Sequence, residues 1–181
     1  MESVLSLKHA ILVMLDQKPH SGYDLLQQFK ESVGYFWNAK HQQIYRQLKI
    51  LHDEELIAFQ SEIQSGKPDK KIYAITQQGK DELLRWLKEP VATNKINDAL
   101  LVKIYGADSA PIEDIASEIE RHIEIHQNTL NYLLALEKKY LSLSSNEQLN
   151  FRYPYLTLRR GILGEEAWLR WAEEATQLFK K

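Results

Sequence analysis

Between Trp37 and Leu56 the chain reads WNAKHQQIYRQLKILHDEEL, and no other stretch limits the fold as tightly. Wound at roughly 100° per residue, it separates into two faces. Ile44, Leu48 and Leu51 stack on one side, with Leu56 just past the last turn. Gln42, Arg46 and Lys49 stack on the other, flanked by Gln43 and Tyr45. One face can bury, and the other presents amide, guanidinium, ammonium and phenol groups outward. No acid occurs between Glu31 and Asp53, although the whole chain has slightly more acids than bases. An acid-free helix face of this kind suits the DNA major groove, where Arg pairs with guanine, Gln with adenine and Lys neutralises phosphate. Taken alone, such a face is more often the solvated side of an ordinary amphipathic helix. The segments on either side decide between the two.

Ser3 is placed to cap a first helix that runs to about Gln17, with Leu7, Ala10, Ile11, Met14 and Leu15 as its apolar stripe. Pro19 stops it. Ser21 then caps a second helix, with Asp24 in the first turn, where the dipole favours an acid, and Leu25, Leu26 and Phe29 facing inward. Gly34 ends this helix, Tyr35, Phe36 and Trp37 clamp the turn, and Asn38 can cap the third helix. After Leu56, residues 57–63 read as a short strand, SGKPDK as a turn, and KIYAIT from Lys71 as a returning strand. Lys67, Lys70 and Lys71 lie at or near the tip of this two-stranded hairpin. Thr76 caps a fourth helix with Leu83, Leu84 and Leu87 inward and Trp86 beside them, closed by Pro90.

Three helices, a basic hairpin and a further helix make a winged helix-turn-helix, with the hairpin as the wing. The wing lysines can reach the phosphate backbone beside the recognition helix. A basic turn and an outward Gln-Arg-Lys helix in this order favour DNA binding over two unrelated solvated surfaces. Net charge gives no such hint: it is −2 overall, and up to Pro90 bases and acids are equal in number. Any DNA-binding surface is therefore a local patch, with salt-sensitive binding.

The expected fold class is mainly α with a small β-hairpin wing. Residues 1–90 are expected to form a winged helix-turn-helix domain, and residues 91–181 a helical dimerisation and effector domain. Val91 to Asn97 read as a linker, and Asp98 to Tyr105 as a short apolar helix ended by Gly106. Ser109 and Pro111 begin a long helix whose apolar positions, Ile112, Ile115, Ile119, Ile123, Leu130, Leu133, Leu134 and Leu141, are close to heptad spacing. SSNEQ reads as a loop, and Pro154 as the residue before a last helix containing Leu158, Ile162, Leu169 and Leu178. So few helices bury little by themselves, which points to pairing with a second copy.

The motifs HSGYDLLQQF, FWNAKHQQIYRQLKILHDEELI and KKIYAITQQGKDELLRWL resemble the PadR family of transcriptional regulators. DALLVKIYGAD and TLRRGILGEEAWLRWAEEA are similar to the virulence-activator (AphA-like) C-terminal domain of its longer members. The resemblance implies a homodimeric repressor that binds a palindromic operator on double-stranded DNA and is released by a small molecule such as a phenolic acid. Carried over by position, Gln42, Gln43, Tyr45, Arg46 and Lys49 would contact DNA from the recognition helix. Lys67, Lys70 and Lys71 would contact it from the wing, and Tyr23 and Lys40 would touch flanking phosphates. Glu55 departs from the pattern, standing where the family often has a helix-ending Gly, and predicts a slightly altered helix end and wing placement.

Other chemistry is poorly supported. The chain has no cysteine, so disulfides, thiol nucleophiles and Cys-based zinc sites are excluded. His122 and His126 lie four apart with Glu118 a turn earlier, but no third strong ligand is evident, so no metal and no cofactor are expected. A helix cap accounts for Ser21 beside His20 and Asp24 without a nucleophilic triad, and the scattered glycines form no phosphate loop. No enzyme is expected. Trp168 and Trp171 with Arg159 and Tyr155 are the candidate effector-binding residues, since aromatics near a cation suit an aromatic carboxylate. Interface packing is the slightly favoured alternative for the two tryptophans. No apolar run approaches the roughly 20 residues that span a bilayer, and the N-terminus lacks a signal-peptide pattern, so a cytoplasmic location is expected. The rival reading is a winged helix that docks onto another protein and never meets DNA, which the balanced charge of the N-terminal half favours.

Overall fold

The computed structural model describes residues 2–31, 39–62, 70–93 and 97–179. The expected roles of Gly34 to Asn38 and of Lys67 lie outside these residues. The chain divides into two compact units, Met1–Thr93 and Asn94–Lys181.

In the first unit the order is α1 (Glu2–Gln17), β1 (His20–Ser21), α2 (Gly22–Glu31), α3 (His41–Asp53), β2 (Ile57–Glu62), β3 (Lys70–Ile75) and α4 (Gln77–Leu87). Ser3 lies inside the first turn of α1 rather than capping it, because the helix already begins at Glu2. Ser21 does cap α2: its Oγ accepts the Asp24 backbone N–H at 3.1 Å. Ile11, Leu12 and Leu15 of α1, Leu25 and Phe29 of α2, and Ile44, Leu48 and Leu51 of α3 are buried in one core, closed by Leu56, Ile57 and Leu83. Each such side chain contributes about 1.5–3 kcal/mol by leaving water, so the apolar face of α3 is firmly fixed.

The wing is a three-stranded sheet, order β1-β3-β2, and not an isolated hairpin. β2 and β3 pair antiparallel from Ile57↔Ile75 to Glu62↔Lys70. The two-residue β1 adds to the free edge of β3 through His20↔Tyr73 and Ser21↔Ile72. A lone hairpin is marginal in water, and this third strand ties the wing to the start of α2.

α4 also differs from expectation. Leu83 is buried, but Leu84 and Leu87 are 56% and 61% exposed. Gly79 and Leu83 set the inner face at i and i+4, and Trp86 completes it by stacking on the buried His9 ring, with centroids 4.4 Å apart. The helix phase turns Leu84 outward, whereas Leu87, one turn beyond Leu83, is the last residue of the helix and has left the core within this unit.

The second unit holds α5 (Ala99–Tyr105), a 3-10 turn (Ala107–Ser109), α6 (Ile112–Leu141), α7 (Ser145–Asn150) and α8 (Arg152–Phe179). Asp98 caps α5 by accepting the Leu100 N–H at 2.8 Å. SSNEQ is not a loop but contains α7: Ser144 and Glu147 form a capping box, the Ser144 N–H donating to Glu147 Oε2 at 2.9 Å. Pro154 lies within the first turn of α8, where backbone N–H groups have no intrahelical partner to lose. α6 and α8 run antiparallel. Ile115 and Ile119 meet Ala172 at one end, and Leu130 and Leu133 meet Ile162 further along. Between these two apolar clusters His126 meets the buried Glu165, Nδ1 to Oε2 2.5 Å.

A candidate nucleic-acid interface

α3 separates its faces as the 3.6-residue period requires. Ile44, Gln47, Leu48 and Leu51 are buried, and Gln42, Gln43, Tyr45, Arg46 and Lys49 are exposed. Gln47 is the addition: three residues after Ile44 and four before Leu51, this amide falls on the inner face by helical period despite its polarity. Among the described residues no ion pair engages Arg46 or Lys49, so both cations face solvent uncompensated.

The N-cap of α3 is Lys40, in extended conformation at φ −74°, ψ 149°. Gln43 supports that turn, its Oε1 accepting the Lys40 N–H at 2.7 Å. The Gln43 carbonyl oxygen is therefore spent on the helix start, and its NH2 remains as an outward donor. Tyr45 is also half structural. Its ring lies over Gly22, where a Cβ would sit 2.8 Å from Cε1, and against His41 at 4.5 Å between centroids. Gly22 thus admits α3 to the start of α2. Nearby Tyr23 is 70% exposed.

The far end of α3 closes in a Schellman turn. The Leu56 N–H bonds the Leu51 carbonyl at 2.9 Å, the Glu55 N–H bonds the His52 carbonyl at 3.0 Å, and Leu56 packs back into the core with Leu51. Glu55 adopts φ 59°, the left-handed conformation that glycine would take freely. The expected change of helix end is therefore corrected: the turn is kept and the strain is borne. The reason is visible next door. Thr76 Oγ1 donates to the Glu55 carbonyl at 2.7 Å, and the Thr76 N–H bonds the Leu56 carbonyl at 3.0 Å. The same Thr76 hydroxyl caps α4, accepting the Gly79 N–H at 3.0 Å. Gly79 lies so close that a Cβ there would sit 2.1 Å from the Leu56 carbonyl oxygen. The end of α3, the roots of both wing strands and the start of α4 are one clamped junction.

On the wing, Lys71 is exposed and its ammonium lies over the Phe59 ring, 4.2 Å from the centroid. Lys70 is engaged: its Nζ is 3.0 Å from Asp24 Oδ2. The Ser21 hydroxyl donates to the same carboxylate oxygen at 2.7 Å, and these two bonds hold the Asp24 pKa below the usual carboxylate range. His20 is buried and its pKa is lowered, first by burial and then by nearby Lys18. Burial also raises the Tyr73 phenol, with Tyr45 nearby adding to the effect.

The four candidate effector residues fall into two groups within the second unit. Tyr155 OH and Arg159 Nη1 both donate to Glu137 Oε1, at 3.0 and 2.9 Å, and Tyr155 stacks on Tyr140 at 4.0 Å. Trp168 stacks on His126 at 3.7 Å and meets Trp171 edge-on. Arg159 and Trp168 are nine residues apart on one helix, about 13 Å along its axis. One copy of this unit therefore does not bring all four to one spot, and the Arg159 charge is already met by Glu137. His122 and His126 turn to Glu118 and Glu165 respectively, and no metal-binding group of three side chains occurs among the described residues. No helix among the described residues is long and apolar enough to cross a membrane.

An exposed basic recognition-type helix, clamped beside a short sheet and followed by a long antiparallel helix pair, defines a winged-helix regulator class. Residues 11–85 match the transcriptional regulator PadR-like family, and residues 96–180 match the virulence activator alpha C-terminal domain. The chain is 32% identical to the probable transcriptional regulator Rv1176c of Mycobacterium tuberculosis, over 98% of this chain and 99% of that protein. It is 34% identical to the negative transcriptional regulator PadR of Bacillus subtilis, over 97% and 98%. The crystal structure of that PadR with operator DNA aligns at TM-score 0.84 and 33% identity, over 96% of this chain and 99% of that one. Its complex with p-coumaric acid aligns at TM-score 0.79 and 31% identity, over 97% and 99%. The chain belongs to the PadR family of transcriptional regulators.

Proposed function

We propose that this chain is a DNA-binding repressor that acts as a homodimer on a palindromic operator and is released by a small phenolic or aromatic acid. The observation that carries the reading is α3: Gln42, Arg46 and Lys49 exposed on one face, and Ile44, Leu48 and Leu51 buried on the other. Arg46 and Gln42 read base edges. Lys49, Lys67 and Lys71 meet phosphate, and Lys40 and Tyr23 flank them. Residues 1–90 bind DNA, and residues 91–181 carry dimerisation and the effector response. Leu156 and Leu163, exposed and seven residues apart on α8, and the exposed Tyr153 one turn before Leu156 leave apolar surface uncovered in one copy, which supports pairing of two copies. A dimer that sets two α3 helices about 34 Å apart places each in a successive major groove. An effector that alters the helical pairing alters that spacing. The function is regulatory rather than enzymatic.

The test is a gel-shift titration on the DNA upstream of the protein's own gene, with and without p-coumaric acid. A retarded, salt-sensitive complex that the acid dissolves is expected. A retarded complex indifferent to several aromatic acids would remove the effector. No complex at low salt would favour a protein-docking role.

A further inference from the structure

Asp24 stands at the edge of the proposed DNA surface with its charge already committed. It is the third residue of α2, beside the exposed Tyr23 and two residues from Gly22, on which Tyr45 of α3 packs. Its carboxylate is locked by the Ser21 hydroxyl at 2.7 Å and faces Lys70 Nζ at 3.0 Å. Lys70 also stands directly opposite Glu62 in the β2–β3 register. The neighbouring Lys71 stands opposite Ser61, and an aromatic ring, not an acid, lies under it. The two adjacent wing lysines are therefore unlike. One is flanked by two acids, and the other presents its full charge.

Non-specific DNA affinity scales with the number of cations that displace counterions from phosphate, whereas base contacts set discrimination. We propose that Asp24 is a specificity-setting residue: it holds Lys70 as a strut between the wing and α2, and so withholds one cation from sequence-independent binding to phosphate. The inference rests on the DNA-binding reading above. An acid in this place lowers affinity for bulk DNA while leaving the contacts of Gln42 and Arg46 unchanged, so it widens the gap between operator and non-operator sites.

The test measures binding to a non-operator duplex from 50 to 200 mM salt for the full-length protein and for Lys70→Gln, Asp24→Asn and the double variant. Freeing one cation steepens the logarithmic salt slope by about 0.9, equivalent to about three- to four-fold more affinity lost across that range. Lys70→Gln is expected to keep the wild-type slope. Asp24→Asn is expected to steepen it by about that amount and to narrow the operator preference, and the double variant to return it to the wild-type value. A shallower slope in Lys70→Gln alone would show that Lys70 already meets phosphate, and would overturn the proposal. A slope that stays steep in the double variant would overturn it too, because general charge removal would then be the cause. Lys70→Gln leaves the Ser21–Asp24 cap intact, so it decides the matter even where Asp24→Asn fails to fold. Absence of salt-dependent binding by the wild type would instead remove the DNA-binding reading itself.

Discussion

Replacing Glu55 by glycine should stabilise the first unit, and the size of the effect follows from one dihedral angle. Glu55 is held at φ 59° by the turn that ends α3. A residue with a Cβ loses about 1–2 kcal/mol in this conformation. Glycine removes that strain but gives the unfolded chain more freedom, worth about 0.4–1 kcal/mol in the other direction. The net gain is about 0.5–1 kcal/mol, or about 2–8 °C in melting temperature for a unit of this size. The bonds that fix the turn use the Glu55 backbone, its N–H to the His52 carbonyl and its carbonyl to Thr76 Oγ1, so the substitution spares them. Glu55→Ala is the control: it removes the same carboxylate and keeps the Cβ. Urea unfolding followed by circular dichroism should rank Glu55→Gly above both Glu55→Ala and wild type, with DNA affinity unchanged. If Glu55→Ala gained as much as Glu55→Gly, the carboxylate and not the backbone would be the source, and the reasoning would be wrong.

Gly79→Ala should be severe. Its Cβ would meet the Leu56 carbonyl oxygen at 2.1 Å, and relieving that overlap costs at least the 1–3 kcal/mol typical of overpacking. A urea midpoint equal to wild type would show that the junction yields. Arg46→Ala should weaken operator binding by about 1–3 kcal/mol and relax selectivity at one base, whereas Lys49→Ala should weaken all sequences alike and lower the salt slope by about 1. Competition gel shifts separate the two patterns. Stability of the first unit should fall as pH drops below the ordinary histidine value of 6.5, because burial lowers the pKa of His20 and the unfolded chain takes up the proton first. The contribution is complete above 6.5 and is lost as pH falls through the lower native value. The Asp24 carboxylate, depressed below 3.8, plays no part in that window. Urea midpoints from pH 7.5 to 5 should slope less in His20→Asn than in wild type, and parallel curves would refute the assignment.

The parts of this fold that sequence reveals are those governed by short-range periodicity and capping. Ile44, Leu48 and Leu51 repeat at helical spacing and are buried, and Ser21, Thr76 and Asp98 cap helices as their side-chain chemistry dictates. The Ser144-x-x-Glu147 box was equally readable and marks α7 within what passes for a loop. Features that depend on distant partners were not legible. β1 is two residues long and exists only because β3 offers an edge 50 residues later in the chain. Nothing local announces that Asp24 will meet Lys70, or that Arg159 will face Glu137. Leu84 looks apolar enough for a core, but the phase of α4 is set by Gly79 meeting the Leu56 carbonyl, and Leu87 lies at the very end of the helix. Glu55 shows the limit from the other side: a residue that disfavours a left-handed turn adopts one because Thr76 and Leu56 leave the backbone no alternative.

Methylation interference on the operator tests most directly whether α3 reads DNA through its outward face. Methylating guanine N7 places a group in the major groove where Arg46 would bond. The account predicts that N7 methylation blocks binding at guanines in two half-sites about 10 base pairs apart. In Arg46→Ala, sensitivity at the guanine that Arg46 reads should disappear. Binding indifferent to N7 methylation, or an identical pattern in Arg46→Ala, would contradict it.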